Sequence, residues 1–145
     1  MEIGATKAVQ DRLKTTKIEE SKGASHVFCW DTHLTKIKGR NVLFIVNASN
    51  RYTIAMTDIE PRNWNYYAMY ISRVIRVVMQ EMGYSEDQIG QYFKMSGDTT
   101  VTKTHGRKSV GGINRMVMDA QYFGKKLEKE AKYQWELSEY LNRDI

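Results

Sequence analysis

Five stretches of the chain carry the hydrophobic patterns that are typical of β-strands. Residues 27–38 and 51–56 alternate hydrophobic and polar positions, as strands with one buried face do. Residues 42–46 are continuously apolar and predict a strand that is buried on both faces. Short runs at 2–5 and 99–104 predict two further strands. Because turn residues separate the three central stretches, we expect these to form an antiparallel meander.

Hydrophobic residues that recur every three or four positions predict helices elsewhere. The longest such segment begins near Pro61 and ends at Gly83, and Ser85 then opens a shorter helix with the spacing of a capping box. Residues 7–14 predict a short helix and residues 113–123 a longer one. The whole pattern predicts an α+β fold, in which helices pack on one face of an antiparallel sheet of four to five strands.

The last part of the chain differs from the rest in its dense mixture of both charges. Residues 124–145 have high helical propensity, and Trp135 is a large apolar side chain within them. A terminal helix that exposes a tryptophan is typical of a contact between subunits. We therefore expect a single α+β ligand-binding domain over residues 1–123. Residues 124–145 are expected to be a C-terminal helical extension that is used in assembly of a homo-oligomer.

Composition indicates a globular protein with anionic partners. Of the 145 residues, 41% are hydrophobic and 27% are charged, which fits one domain with a substantial core. The net charge of +5 and the pI of about 9.3 favour nucleotides, nucleic acid or acidic proteins as partners. A lone cysteine, Cys29, excludes an intrachain disulfide and a cysteine-based zinc site. Without a signal pattern or a membrane-spanning stretch, we expect a cytoplasmic protein with no membrane partner.

The turn that joins the last predicted strand to the helix after it carries the strongest functional signal. Lys103, Arg107 and Lys108 lie close together there, where a helix N-terminus offers free backbone N–H groups and the positive end of its dipole. His105 and Ser109 add polar groups, and Ser109 either caps the helix or donates to a ligand. The spacing does not match a Walker A loop. The turn therefore predicts a phosphate or carboxylate site, with an ordinary solvated turn as the competing interpretation.

Aromatic side chains give a second functional signal. Nucleobases are commonly held between an aromatic ring and a guanidinium, while phosphate pairs with positive charge. We therefore add Trp30 as a stacking ring and Arg51 as a cation, with Tyr52, Tyr92 and Phe93 as alternative rings. The predicted ligand-binding residues are Trp30, Arg51, Lys103, His105, Arg107, Lys108, Ser109 and Asn114.

The histidines and carboxylates form no recognisable catalytic or metal motif along the sequence. His26, His33 and His105 have no partner of ligand type at helical spacing. Asp31 and His33 share a strand face and are a candidate acid–base pair, although the polar face of a half-solvated strand is the simpler interpretation. Cys29 is expected to be a buried structural thiol. We expect no catalytic residue, no metal and no cofactor.

A series of short segments, taken in order, carries a resemblance to a known family. The segments are Ala5-Thr6-Lys7, Trp30 with Leu34, Val42-Leu43-Phe44, Asn47, Arg51-Tyr52, Thr102-Lys103-Thr104, Arg107-Lys108-Ser109-Val110 and Asn114. They resemble an uncharacterised bacterial and phage-borne domain family of unknown function, over Ile3 to Phe123 and without the tail. Size, charge and the phage association also resemble small viral proteins that sequester cyclic nucleotide signals, in particular the first Thoeris anti-defence family.

These signals predict a non-enzymatic protein that binds and sequesters a small phosphorylated, nucleotide-derived signal. A cyclic ADP-ribose isomer or a cyclic oligonucleotide is the expected ligand, and a phage-type counter-defence sponge is what the resemblance implies. Two alternatives stay open. One is a basic nucleic-acid-binding accessory protein, and the other is a phosphoesterase that acts on such signals, with Asp31 and His33 or His105 as proton carriers.

Overall fold

The computed structural model describes residues 1–14 and 16–145, which form one mixed sheet and the helices around it. A single 3₁₀ turn, His26–Phe28, precedes the second strand. In chain order the elements are β1 (Glu2–Ala5), α1 (Lys7–Gln10), β2 (Cys29–Ile37), β3 (Arg40–Asn47), β4 (Thr53–Thr57), α2 (Pro61–Asn65), α3 (Tyr67–Glu81), α4 (Glu86–Ser96), β5 (Thr100–Lys103), α5 (Arg107–Gln121) and α6 (Trp135–Leu141).

The sheet has the strand order β4-β3-β2-β1-β5 and is mixed, which corrects the expectation of an antiparallel sheet. The predicted meander of β2, β3 and β4 is confirmed, since both of its pairings are antiparallel. The strand β1 lies between β2 and β5 and pairs with both in parallel. Parallel pairing requires long crossover connections, which residues 6–28 and 58–99 supply. Hydrophobic periodicity identifies the buried face of a strand but not its direction, so the pattern did not reveal this arrangement.

Helices cover both faces of the sheet rather than the one face predicted. Side chains alternate along β3, so that Leu43 and Ile45 point to one face and Val42, Phe44 and Val46 to the other. On the first face, which we call the α3 face, the core includes Ile71, Val74, Ile75 and Val78 of α3. On the second, the α5 face, the core includes Ile113, Met116 and Ala120 of α5 with Leu137 and Leu141 of α6.

The C-terminal segment covers the open edge of β4. The backbone N–H groups of Thr53, Ala55 and Thr57 donate to the Asn142 side chain, the Ser138 hydroxyl and the Lys132 carbonyl. Gln134 donates its backbone N–H to the Ala55 carbonyl at 3.0 Å. The tail therefore replaces a missing strand, and its apolar side chains Leu137 and Leu141 pack within the same chain. A role of residues 124–145 in assembly remains a prediction.

The sequence signals predicted some helix ends correctly and others not. The capping box at Ser85 is confirmed, because Ser85 and Gln88 exchange both hydrogen bonds. The helix predicted from residue 113 begins earlier, at Arg107, after Gly106 with a φ of 90°. Only Trp135–Leu141 of the tail is helical. Among the described residues, every helix falls short of the length and apolar character that crossing a membrane requires.

Candidate functional site

His105 lies between two carboxylates on the α5 face. Its Nδ1 is 2.5 Å from Asp31 Oδ1, and its Nε2 is 2.8 Å from Glu2 Oε1. These three side chains are all buried. Together with Cys29 and Ser109, they form a group that we call the polar cluster. The cluster joins β1, β2 and the connection from β5 to α5.

Asp31 holds the cluster in place at the start of α5. Besides the ring of His105, its carboxylate accepts the His105 backbone N–H at 2.9 Å and the Ser109 hydroxyl. Gly4 stands opposite Asp31 on β1, and a Cβ there would lie 1.8 Å from Asp31 Oδ1. Glycine is therefore the residue that leaves room for this carboxylate between the two strands.

Glu2 and Cys29 form the other side of the cluster beneath residues 21–25. Glu2 accepts hydrogen bonds from the Ser21 hydroxyl at 2.7 Å and from the Lys22 backbone N–H at 2.9 Å. The Sγ of Cys29 lies 4.0 Å from Glu2 Oε1 and 3.4 Å from the Ser25 carbonyl oxygen. The predicted burial of the thiol is confirmed, and the thiol belongs to a charged group rather than to an apolar core.

The electrostatics of the cluster favour a protonated imidazole. Burial lowers the pKa of His105, but its interactions with Asp31, Cys29 and Glu2 outweigh burial and raise that pKa to about 11. Burial alone would raise the pKa of Glu2. Hydrogen bonds to its carboxylate from His105, Ser21 and Lys22, of which the His105 bond has the largest effect, instead bring that pKa below its ordinary value. The ring is therefore an imidazolium that donates to both carboxylates. A proton held this firmly makes His105 a poor general base at neutral pH.

The Asp31–His33 pair considered from the sequence is not formed, because Asp31 pairs with His105. His33 instead shares a 2.8 Å hydrogen bond between its Nδ1 and the Thr6 hydroxyl oxygen. Burial lowers the pKa of His33. The two residues do share a strand face, as expected, but a backbone connection distant in sequence supplies the partner of Asp31.

The three cations of the predicted anion site do not converge with its polar groups. Lys103, Arg107 and Lys108 are exposed, whereas His105 and Ser109 turn inwards to Asp31. An internal carboxylate thus occupies the start of α5, the place expected for phosphate. Lys103 borders a hollow of about 470 Å³ whose wall includes Glu19 and Glu20, and these acids oppose an anion there.

The remaining predicted residues lie apart from that turn and from one another. Arg51 packs its side chain on Gly112 of α5, where an added Cβ would be 3.5 Å from Arg51 Cδ. Asn114 is exposed on α5. Trp30 belongs to the core of the α3 face, on the opposite side of the sheet. The eight predicted residues therefore do not form a single site.

Trp30 borders a cavity of about 340 Å³ on the α3 face, which we call the aromatic cavity. Of the four rings predicted as stacking candidates, Trp30, Tyr52 and Tyr92 line it, and Phe93 does not. Two of these rings are tied together, because Trp30 Nε1 donates to the Tyr92 hydroxyl at 2.9 Å and that hydroxyl donates to the Val27 carbonyl at 2.7 Å. The aromatic and sulfur-containing residues of the wall are Trp30, Tyr52, Tyr84, Tyr92, Met79 and Met82.

Two amide side chains bring hydrogen-bonding capacity to the aromatic cavity. Asn50 and Gln88 both line it. Among the described residues, their hydrogen bonds use the side-chain oxygens, which accept the backbone N–H groups of Tyr52 and Ser85. Their NH₂ groups can therefore donate to a ligand. Asn47, by contrast, uses its whole amide within the protein. Its oxygen accepts the backbone N–H groups of Ser49 and Asn50, and its NH₂ group donates to the Val27 carbonyl.

Comparison with protein families identifies the chain. Residues 2–145 match the family described as Domain of unknown function (DUF6933). The chain belongs to this family. The DUF6933 match includes the tail, whereas the resemblance seen in the sequence ended at Phe123. It confirms a relation to an uncharacterised domain family, and it names no activity. Neither the curated proteins nor the solved structures contain a match.

The sequence offered only weak signals for the polar cluster of this DUF6933 chain. Glu2 is an acid in an apolar strand, and Gly4 interrupts the same strand two residues later. A glycine inside a strand indicates the close approach of another group. Identifying that group as Asp31 requires the parallel register of β1 and β2, which the sequence pattern does not contain.

Proposed function

We propose that this protein binds a small ligand with a planar ring and does not convert it, and that the ring occupies the aromatic cavity. The observation that carries the proposal is the wall of aromatic and methionine side chains around a cavity of about 340 Å³, with two amides beside it. Ligand sites are typically concave and apolar, with a few polar groups that fix orientation.

A nucleobase is the ring that fits this wall best. Aromatic faces stack on any base, and amide groups such as those of Asn50 and Gln88 bind base edges. Among the described residues, the wall contains no lysine or arginine. We therefore expect the phosphate of a bound nucleotide to lie outside the cavity, at its rim. We extend the proposal to a cytoplasmic protein that holds a nucleotide-derived signal. In its most specific form, the protein sequesters a cyclic nucleotide, as a phage-type sponge does.

Calorimetry with matched variants tests the proposal. The probes are AMP, cyclic ADP-ribose isomers and cyclic oligonucleotides. At least one is expected to bind, and Tyr84→Ala is expected to weaken its binding about 5- to 150-fold, because base–aromatic stacking is worth about 1–3 kcal/mol. Tyr84 is 45% exposed, so its loss leaves the core intact.

Tyr122→Ala is the matched control, a tyrosine-to-alanine change outside the cavity. Tyr122 is 78% exposed and lies at the C-terminal end of α5. It is expected to bind the probe as the unmodified protein does. Binding by none of the probes, or equal binding by the Tyr84→Ala and Tyr122→Ala variants, would overturn the proposal.

A phosphoesterase is the second candidate, because Asp31 and His105 form a carboxylate–imidazole pair. Two features oppose it: the pair is buried, and it lies on the opposite sheet face from the aromatic cavity. Recovery of intact probe after long incubation supports binding alone. Appearance of a hydrolysed probe supports the enzyme.

Binding to nucleic acid is a third candidate, because Lys103, Arg107 and Lys108 are exposed. The affinity of such binding would fall steeply with added salt.

A further inference from the structure

Three side chains of metal-binding type meet inside the polar cluster. The ligand atoms of Glu2, Cys29 and His105 all lie within 4.8 Å of one another. Nε2 of His105 is 2.8 Å from Glu2 Oε1, and Sγ of Cys29 is 4.0 Å from the same oxygen. Ligands of a tetrahedral zinc ion lie about 3.2–3.7 Å apart, given the usual zinc bond lengths. Two of the observed separations bracket this range and the third is at most 4.8 Å, so side-chain movements of about 1 Å would complete the geometry.

The second ring nitrogen of His105 already has the partner that metal-binding histidines use. Its Nδ1 donates to Asp31 Oδ1 at 2.5 Å, which aims Nε2 towards Glu2 and Cys29. Asp31 is fixed in turn by the His105 backbone N–H and the Ser109 hydroxyl. A carboxylate that orients a histidine in this way is the usual outer support of a zinc ligand.

We propose that Glu2, Cys29 and His105 bind one Zn²⁺ ion, with Asp31 as the positioning residue. Thiolate, imidazole and carboxylate together suit zinc, whereas calcium and magnesium prefer oxygen ligands alone. A lone cysteine excludes a zinc site built from several cysteines, but not one in which a single thiolate joins an imidazole and a carboxylate. Sequence spacing gave no sign of such a site, because the three ligands come from β1, β2 and the connection to α5. A water molecule completes the fourth position.

Charge balance favours this occupant. Zinc takes the place of two protons, one from the Cys29 thiol and one from His105 Nε2, and both leave to solvent. The two positive charges of the ion replace those of the two protons, so the net charge of the buried group does not change. The ion would tie together three elements on the α5 face and is independent of the aromatic cavity.

Cobalt substitution tests the site in the full chain. After treatment with a chelator, the protein is titrated with Co²⁺ and then with Zn²⁺. The expected result is one ion per chain, a thiolate-to-cobalt charge-transfer band, and loss of that band when Zn²⁺ is added. Cys29→Ser is expected to abolish the band. His33→Ala is the matched control and is expected to keep it, because His33 bonds to Thr6 outside the cluster.

Two further measurements guard against misfolded variants. In the unmodified protein, Zn²⁺ is expected to raise the melting temperature relative to chelator, and Mg²⁺ is expected to leave it unchanged. Asp31→Asn is expected to weaken zinc affinity about 10- to 100-fold while the charge-transfer band persists at saturating metal. No charge-transfer band in the unmodified protein, or an equal band in the Cys29→Ser variant, would overturn the proposal.

Discussion

At the scale of single residues, Gly4 and Asp31 show how one position can decide a buried site. The Asp31 carboxylate occupies the space that a side chain on β1 would fill, and it collects hydrogen bonds from His105 and Ser109 there. A buried carboxylate is stable only where such partners compensate for lost water. The small residue and the charged group therefore depend on each other.

Gly4→Ala is expected to destabilise the protein by about 3 kcal/mol, the upper end for overpacking, because its Cβ would lie 1.8 Å from Asp31 Oδ1. Urea unfolding measures the change. Gly90→Ala is the control: Gly90 lies on α4 with nothing within 4 Å of an added Cβ. There, alanine is expected to stabilise by about 0.5–1 kcal/mol through helix propensity. Equal effects of both changes would refute the close approach.

His33 gives a pH dependence with a definite sign. Burial lowers its pKa below the ordinary 6.5, so the unfolded chain takes up a proton at higher pH than the folded chain. Its contribution to the free energy of unfolding is present above about pH 6.5 and is lost as pH falls through the folded pKa. The free energy of unfolding, measured from about pH 8 to about pH 5, is expected to fall more in the unmodified protein than in the His33→Gln variant. Identical pH profiles would contradict this.

At the scale of elements, the sequence predicted what local physics controls. Alternation identified β2 and β4, a continuous apolar run identified β3, and the capping box identified the start of α4. The parallel position of β1 and the second helical layer depend on contacts between distant segments, which periodicity does not encode. The tail is the clearest case. Its polar side chains bond to the open edge of β4, and such contacts leave no periodic pattern in the sequence.

Asn142→Ala tests the cover on the β4 edge. The Asn142 side chain accepts the Thr53 N–H and donates to the Thr53 carbonyl, both at 2.7 Å. Its loss is expected to cost about 1–3 kcal/mol of stability, the cost of leaving buried backbone groups unpaired, and to increase self-association through the exposed strand edge. Thermal melting and light scattering measure both effects. Asn114→Ala, an exposed change on α5, is expected to alter neither. An unchanged melting temperature in the Asn142→Ala variant would exclude this role of the tail.

At the scale of the whole molecule, the two sheet faces carry different chemistry. The α5 face buries the polar cluster, and the α3 face carries the aromatic cavity. Of the predicted ligand-binding residues, Trp30 lines that cavity, while His105 and Ser109 belong to the cluster behind the sheet. Residue type alone selected groups with the right chemistry, but assigning them to one site required knowing which face each occupies.

The proposed ligand site is tested most directly by NMR of methyl-labelled methionines. Met79 and Met82 line the aromatic cavity, and Met95 and Met118 are 62% and 64% exposed elsewhere. In a titration with the nucleotide probe that binds most tightly, a ring in the cavity is expected to shift the Met79 and Met82 methyl signals and to leave those of Met95 and Met118 in place. Saturation with the probe while the Met79 and Met82 signals do not move would contradict binding in the aromatic cavity.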